Sequence, residues 1–564
     1  MPSFDLAWIQ FAAGAAAGAQ PQRVEPPAVT LLVGPNNSGK TRALTELALL
    51  ATASADPRVV IDSVGWAFGT EAEVRADIEK LAVPPAPGEA FLEGQTKVQG
   101  LPLSVSGVLG LIEPAQLVTA VRGFVPDSSP PPAALQFLVG SQTALLRGRD
   151  RHTLVAQSPL GDLQQPAAHH LSALFRDDQL RQSVRELVSD GLGMYFVLDP
   201  TNTGQVRVRL SLVAPPSAAV ERRLDQPAVE FQSRALPIET QSDGIQCFVG
   251  LIAATAGLPH QLILVDEPEA FLHPPLARRI GSALANAARQ REGRVIAATH
   301  SSAFVMGALE SGVDVLVVRM TYEPGRGAAT VRSLRPSLLR PLTHDPLLRS
   351  SRALDGLFHR AVIVGEADAD RVLYEEVNRR LVAAGRGVRD ALFINAQNWQ
   401  TQARIIGPLR TLGVPAAAIV DMDALAGQHA EWDRFYDAIA TNASDREALE
   451  DLRLAAQAAL RRRGRDYKEQ GLAALTGADR KELSAAVRAL AKCGIFVVPV
   501  GSLESWLPRL RVRGRKKDWV VRVLDAMGAD TAEPTYVRPA SGDVWKFMDL
   551  IATWVDDPER RGMP

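Results

Sequence analysis

Val29-Thr30-Leu31-Leu32-Val33-Gly34-Pro35-Asn36-Asn37-Ser38-Gly39-Lys40-Thr41 reads as an apolar, β-branched strand, then a glycine-rich loop, then a helix beginning at Arg42. The loop fits Gly-x4-Gly-Lys-Thr, in which glycines let backbone N–H groups fold around phosphates. In such a loop Gly34, Asn36, Asn37, Ser38 and Gly39 line the phosphates and Lys40 reaches the β- and γ-oxygens. The Thr41 hydroxyl ligates Mg²⁺, and the helix N-terminus adds positive potential. The stretch is a nucleotide-binding loop.

Working outward, 564 residues exceed one ordinary core and suggest roughly three to four domain-sized units. Hydrophobic content of 46% and charged content of 22% are those of a globular, water-facing chain. A net charge of −1 exerts no global pull on nucleic acid or membranes, so such a contact must be a local patch. Cys247 and Cys493 offer neither a disulfide framework nor metal-site spacing, which favours the cytoplasm. The small-residue run Phe11–Ala19 lacks a basic flank, with Asp5 where positive charge belongs. It reads as linker or loosely packed surface rather than a signal peptide. No window of about 18 strongly apolar residues marks a transmembrane span.

After the Leu/Ala-rich helix Ala43–Ala51, residues 55–235 carry little legible chemistry. Leu171–Leu192 reads as one amphipathic helix. Gly204–Val213 alternates as a half-exposed strand, with Val206, Val208, Leu210 and Leu212 on one face and Arg207 and Arg209 on a basic outer face. Leu262-Ile263-Leu264-Val265-Asp266-Glu267 is a buried strand ending in two carboxylates, which places both at the sheet edge beside the phosphate loop. There Asp266 would hold Mg²⁺, and Glu267 would orient or deprotonate the attacking water. A second buried strand, Arg294–Ser301, brings His300 to the γ-phosphate. Val313–Met320 and Ala328–Leu334 read as a hairpin turning at Gly325-Arg326-Gly327, and Arg340–Arg352 as a connector.

Together these pieces resemble ATPases of the ATP-binding-cassette type, in the branch shared with SMC and recombination-repair ATPases. In that resemblance Ser242-Asp243-Gly244-Ile245-Gln246 is similar to the signature motif, so Ser242 and Gly244 would meet the γ-phosphate held by a second subunit, with Gln246 counted among the ATP-binding residues. The resemblance covers residues 28–41 and 236–302 and implies an ATP-sandwiched homodimer or higher oligomer. Gln136, Gln142 and Gln157 all remain open for its glutamine loop.

A second constellation follows. Ala361–Gly365 is an apolar strand ending at Glu366, with Asp368 and Asp370 at a helix start, and Ala416–Val420 runs into Asp421-Met422-Asp423. On a strand, Asp421 and Asp423 point to one side and can share a hard cation. Gly494–Val500 leads to Glu504. Three strands ending in acid converge on one edge of a parallel sheet, and such a cluster is stable chiefly with Mg²⁺ or Mn²⁺ bound.

The ordered set resembles the TOPRIM domain of topoisomerases, primases and related nucleases, with Ala367 where that family's first motif has glycine. An ATPase followed by TOPRIM is the arrangement of the OLD (overcoming lysogenisation defect) family, which includes the nuclease subunit of the Gabija defence system. The resemblance implies an α/β chain in two parts: an ABC/SMC-like P-loop ATPase domain at 1–345, with a variable insertion at about 55–235, and a Rossmann-like TOPRIM domain at 346–564, with a helical insertion at about 429–493. It implies Glu366 as metal ligand or general acid/base, and Asp370, Asp421, Asp423 and Glu504 as metal ligands. Two ions about 4 Å apart would then activate water and stabilise the leaving oxygen. The family's late lysine, which steadies the scissile phosphate, falls on Lys546 ahead of Lys492, Lys516 and Lys517.

Arg509, Arg511, Arg513, Arg515, Lys516 and Lys517 place six basic residues in nine just after Glu504, a backbone-binding patch for nucleic acid, DNA before RNA. The resulting expectation is an ATP-gated, metal-dependent nuclease in anti-phage defence, with room for a partner protein. The competing reading is a nucleic-acid-binding sensor or clamp whose TOPRIM domain only docks. A topoisomerase would need a nucleophilic tyrosine, and none of the six tyrosines has suggestive context.

Overall fold

The computed structural model describes the chain except residues 1–2, 86–87, 108, 257–259, 324–326, 336, 338–345, 347–351, 440–441, 465, 515 and 564. It divides into two compact units, Met1–Pro336 and Ser337–Pro564, rather than three or four.

The first unit is built on a six-stranded sheet in the order Ala328–Leu334, Val315–Glu323, Val29–Val33, Arg294–Ala298, Leu262–Asp266, Thr143–Leu146. All neighbours are parallel except the outer hairpin. Val29–Val33 and Leu262–Asp266 are buried at every position, the continuous apolar pattern that a parallel strand covered on both faces requires. The helix after the loop spans Lys40–Ala51, two residues earlier than the sequence suggests, and lays Ala43, Leu44, Leu47 and Ala51 on the sheet. Glu46 on that helix is fully buried, yet its carboxylate accepts from the backbone N–H groups of Val59, Val60 and Ile61 and from Arg42. Those bonds to the charged form outweigh burial and hold it below the ordinary carboxylate range.

Several sequence expectations are corrected here. The small-residue run begins inside a strand: Phe4–Gly14 is the centre of an antiparallel sheet between Pro21–Val24 and Ile61–Phe68. Phe4, Leu6, Ile9 and Phe11 pack into the core across a register shift between Leu6 and Trp8, so burial of these apolar positions outweighs the alanine composition. Asp5 pairs with Arg294. Leu171–Leu192 is two helices, His170–Arg176 and Asp178–Leu192, because the Asp177 carboxylate caps the second by accepting from Gln179 and Leu180. The strand Gln205–Ser211 buries Val206, Val208 and Leu210 as expected, but its outer face is not free basic charge. Arg207 and Arg209 both pair with buried Asp199. Leu212 lies beyond the strand and is exposed. The hairpin Val315–Glu323/Ala328–Leu334 is present, while residues 324–326 of its turn and most of the 340–352 connector fall outside the described residues.

The second unit has a four-stranded, wholly parallel sheet in the order Ala391–Asn395, Ala361–Gly365, Ala416–Val420, Ile495–Val497. Helices Asp368–Ala383 and Asp543–Asp556 bring Leu373, Tyr374, Val377, Trp545, Phe547 and Met548 into one core with Phe496, Trp506 and Trp519. Helices His429–Ala438, Ala443–Arg463 and Gly477–Lys492 fall between the last two strands. Buried Arg410 ties this unit together by donating to the carbonyls of Ala416, Cys493, Gly494 and Gly562. Among the described residues no helix is long and apolar enough to cross a membrane.

Candidate functional sites

In the N-terminal unit, strand Val29–Val33 ends at Gly34, whose φ of 139° is open to glycine alone. A Cβ there would lie 2.0 Å from the Met320 carbonyl oxygen. Gly39, at φ 91°, closes the loop as the residue before the Lys40 helix, and no acid occupies that helix's first turn. The loop's anion-attracting end is therefore uncompensated by the helix itself. Lys40 is 5% exposed, and its Nζ donates to Gly34 O (2.9 Å), Pro35 O (2.8 Å) and Ser38 Oγ (3.3 Å). Burial lowers the amine to about 8, against the opposing pull of Glu267, Asp266 and Glu269.

Thr41 Oγ1 donates to Asp266 Oδ1 at 2.9 Å, bringing a hydroxyl and a carboxylate from distant sequence to one spot. Two adjacent hard oxygens beside a phosphate loop suit Mg²⁺. Burial raises the Asp266 carboxyl, and the Thr41 bond opposes that rise. Glu267 adopts φ 49°, with its N–H bonded to Ala298 O at 2.8 Å, which fixes the neighbouring strands at their carboxyl ends. His300 is half-buried; burial, then the Lys40 ammonium, hold its imidazole below the ordinary range, hence neutral at pH 7. Its backbone N–H donates to Glu269 Oε1 at 2.5 Å. Lys40, Thr41, Asp266, Glu267 and His300 thus meet at one sheet edge.

The helix Asp243–Ala256 opens next to exposed Ser242. Gly244 is needed for packing: a Cβ there would stand 2.7 Å from the Phe271 carbonyl oxygen. Gln246 Nε2 donates to Gln241 O at 2.9 Å. Of the three candidate glutamine-loop residues, Gln142 is excluded, because it is buried at the amino end of strand Thr143–Leu146 and bonds Ser3 and Leu138. The carboxyl end of that strand leads instead into Gly148–Leu154, which holds Arg151 and contains no glutamine.

In the C-terminal unit, Glu366 follows strand Ala361–Gly365 and accepts the Asp421 backbone N–H on Oε1 at 2.9 Å. Burial raises Glu366 to about 7, helped by the charges of Asp370 and Asp423. Burial raises Asp421 to about 8, with Glu366, Asp370, Asp423 and Glu504 adding to it. Asp421 therefore feels all four of the other acids named from the sequence.

Their arrangement differs from expectation. Strand Ala416–Val420 ends before Asp421, and Met422–Ala426 is a 3-10 turn, so strand alternation does not align Asp421 with Asp423. Asp370 Oδ2 turns back to accept Ala367 N–H at 2.7 Å, and Asp423 Oδ2 pairs with Lys468 at 2.8 Å. Among the described residues, no three acidic, imidazole or thiol groups are gathered to hold a metal ion. The donor set, all carboxylate oxygen with two members raised by burial and then by neighbouring charge, suits a hard divalent cation in its chemistry. Seating one would require Asp370 and Asp423 to leave their present partners. Ala367, at φ −129°, is in ordinary extended backbone, so the missing glycine costs this turn nothing.

Lys468, carried in by the short helix Tyr467–Gln470, is the lysine at these acids, and the sequence offered no cue for it. Its segment is seated by Gly501 (φ 99°), where a Cβ would lie 2.6 Å from the Lys468 carbonyl oxygen. Lys546 is exposed on helix Asp543–Asp556, and among the described residues no ion pair joins it to the acids. Arg509, Arg511, Arg513 and Lys517 are exposed; Lys516 opens a helix, and Arg515 falls outside the described residues.

Residues 211–306 match a family model described as AAA domain, putative AbiEii toxin, Type IV TA system. No curated protein matches the chain. Among solved structures, the chain is similar to an SMC head bound to the C-terminal winged-helix domain of ScpA (12% identity, 59% of this chain and 98% of that one, TM-score 0.36). It is also similar to the SMC head domain from Thermotoga maritima (13%, 58% and 99%, TM-score 0.30). A third is cbiO1 from Clostridium perfringens, part of an ABC transporter complex (11%, 68% and 98%, TM-score 0.26). The AAA match and the loop–carboxylate geometry agree on a P-loop ATPase.

Proposed function

We propose that the chain is an OLD-type enzyme: an ABC/SMC-like ATPase that dimerises around MgATP and gates a metal-dependent nuclease in its TOPRIM-like unit. One observation carries the nuclease half. Glu366 and Asp421, at the ends of adjacent parallel strands, are bonded to one another and crowded by Asp370, Asp423 and Glu504. A fold tolerates such crowding when a cation relieves it in the working state. Asp421, Asp423, Asp370, Glu504 and Glu366 would hold Mg²⁺ or Mn²⁺, which when bound supplies Lewis acidity and an activated water for phosphodiester hydrolysis. Glu366, with its carboxyl near 7, is suited to pass a proton at neutral pH. Lys468 and Lys546 compete for the role of steadying the scissile phosphate, and Arg509, Arg511, Arg513 and Lys517 would bind the flanking backbone. In the ATPase, Glu267 would act on water, and His300 and the Ser242–Gln246 segment of a second copy would contact the γ-phosphate.

The test is cleavage of supercoiled, linear and single-stranded DNA and of tRNA, across Mg²⁺ and Mn²⁺, with and without ATP. Metal-dependent cutting that disappears in Glu366→Ala and Asp421→Ala supports the reading; cutting that persists in both removes it. The sensor or clamp reading is favoured by the Lys468–Asp423 pair, which already neutralises part of the acidic edge. Tight, salt-dependent binding with no cleavage under any condition would select it.

A further inference from the structure

Beneath the Asp266–Glu267 corner lies an arginine that the phosphate loop does not use. Arg151 is 1% exposed and belongs to the 3-10 segment Gly148–Leu154. Its Nη2 donates to the Asp266 carbonyl at 2.6 Å, while Nε and Nη1 are enclosed without hydrogen-bond partners. Burial lowers the guanidinium to about 10, against the countering charges of Cys247, Asp266, Glu269 and Asp150. Enclosing a cation with idle donors is costly, and an apolar side chain of similar volume would fill the space at lower cost. Packing alone does not account for it.

The same segment touches the ATPase centre at two further places. Gly148 faces Glu267, whose Oε2 lies 3.3 Å from where a Cβ would stand. The Arg151 carbonyl oxygen lies 3.3 Å from the corresponding point at Gly250, within the helix Asp243–Ala256, and His152 Nδ1 is 3.5 Å from Gln246 Oε1. The segment therefore spans from the two carboxylates to the helix that opens at Ser242.

We infer that Arg151 is a positioning residue of the ATPase: its guanidinium fixes the Asp266 peptide, and so the direction of the Asp266 and Glu267 side chains, relative to the Asp243–Ala256 helix. The inference rests on the ATPase reading and is independent of the nuclease. Arg151 is enclosed and holds the Asp266 peptide rather than facing the open loop, so its loss is expected to reduce turnover far more than binding.

The experiment compares full-length wild type with Arg151→Met, Arg151→Lys and Gly148→Ala. It measures affinity for a fluorescent ATP analogue with Mg²⁺, and kcat and KM for ATP hydrolysis. Arg151→Met should bind within about threefold of wild type and lose roughly 30-fold or more in kcat. Arg151→Lys should recover about a third of the wild-type rate, since one ammonium donor reaches the carbonyl. Gly148 has no left-handed φ to lose, so Gly148→Ala should only crowd the Glu267 carboxylate and lower kcat about fivefold at unchanged affinity. A kcat for Arg151→Met within about threefold of wild type would overturn the inference. So would loss of binding and turnover together in both Arg151 variants. If Arg151→Met does not fold, unchanged turnover in Arg151→Lys and Gly148→Ala is the overturning result. Absence of turnover in the wild type would instead overturn the ATPase reading, and the inference with it.

Discussion

At the phosphate loop one buried ammonium, Lys40, is surrounded by oxygens of its own loop, and the nearby carboxylate of Asp266 is held by Thr41. At the acidic edge of the C-terminal unit, five carboxylates crowd together, and the ion-paired cation is Lys468, brought from 45 residues beyond its partner Asp423. The first site is set in geometry before its ligand arrives. At the second, burial and neighbouring carboxylates raise Glu366 and Asp421. A preformed cradle of this kind should fail abruptly when Lys40 is removed, whereas a crowded carboxylate site should respond to pH and to added cations.

The largest expected effect tests the first half of that contrast. Lys40→Ala should weaken ATP binding by roughly 100-fold or more, as read by titration with a fluorescent analogue, because no other described lysine stands at the loop. With the C-terminal unit as the nuclease proposed above, the same variant should alter when that unit cuts and leave intact its metal-dependent cutting of exposed single strands. Loss of all cutting would mean that the two sites are not divided into switch and blade. Next in size, Asp421→Ala and Glu366→Ala should each reduce Mg²⁺- or Mn²⁺-dependent nicking by about 10³-fold with ATP affinity unchanged.

The contrast also explains what could be read from the sequence. The loop was legible because its parts are contiguous: Gly34, Gly39, Lys40 and Thr41 act within eight residues, so spacing alone conveys the geometry. Glu366 and Asp421 were legible because each directly follows a short apolar strand that the sheet then aligns. Asp423 was misjudged because the strand stops one residue before Asp421, a boundary that apolar patterning does not mark. Arg151 and Lys468 were illegible for another reason. Each reaches its site through a turn whose position depends on tertiary packing, on Gly250 for one and on Gly501 for the other. The misread run at Phe11 shows the same limit: composition suggested linker, while burial of Phe4, Leu6, Ile9 and Phe11 made its strand a sheet centre.

A smaller effect should appear in stability against pH. Glu366 and Asp421 have carboxyls raised by burial and crowding to about 7 and about 8, so the fold keeps protons that the unfolded chain has released. Their stabilising contribution is complete below about pH 4 and is lost as pH rises through 7 to 8. In chelator-treated protein the midpoint of C-terminal unfolding should therefore fall between pH 5 and 8. Asp421→Asn should recover roughly 1–2 kcal/mol at pH 8 and little at pH 5. Mg²⁺ should raise the wild-type midpoint most at pH 8, where the carboxylates are charged. A midpoint indifferent to both pH and Mg²⁺ would show that the acids do not interact, and the contrast with the phosphate loop would lapse.

The smallest effect concerns which lysine serves the acidic edge. The Lys468–Asp423 pair is exposed on both sides and contributes about 0–1 kcal/mol, so its removal should leave the unfolding midpoint nearly unchanged. Its consequence should appear in charge instead. Lys468→Met removes a tethered cation that competes for Asp423, so Mn²⁺ should bind about threefold more tightly by calorimetry. Cutting at saturating Mn²⁺ should nonetheless fall about tenfold if the freed ammonium is what steadies the scissile phosphate. Lys546→Met should change neither quantity by more than about twofold, because that side chain points to solvent from a helix whose Trp545 and Phe547 neighbours are buried in the core. The reverse pattern, with cutting lost in Lys546→Met and kept in Lys468→Met, would assign phosphate positioning to the late helix. Lys468 would then be a counter-ion only.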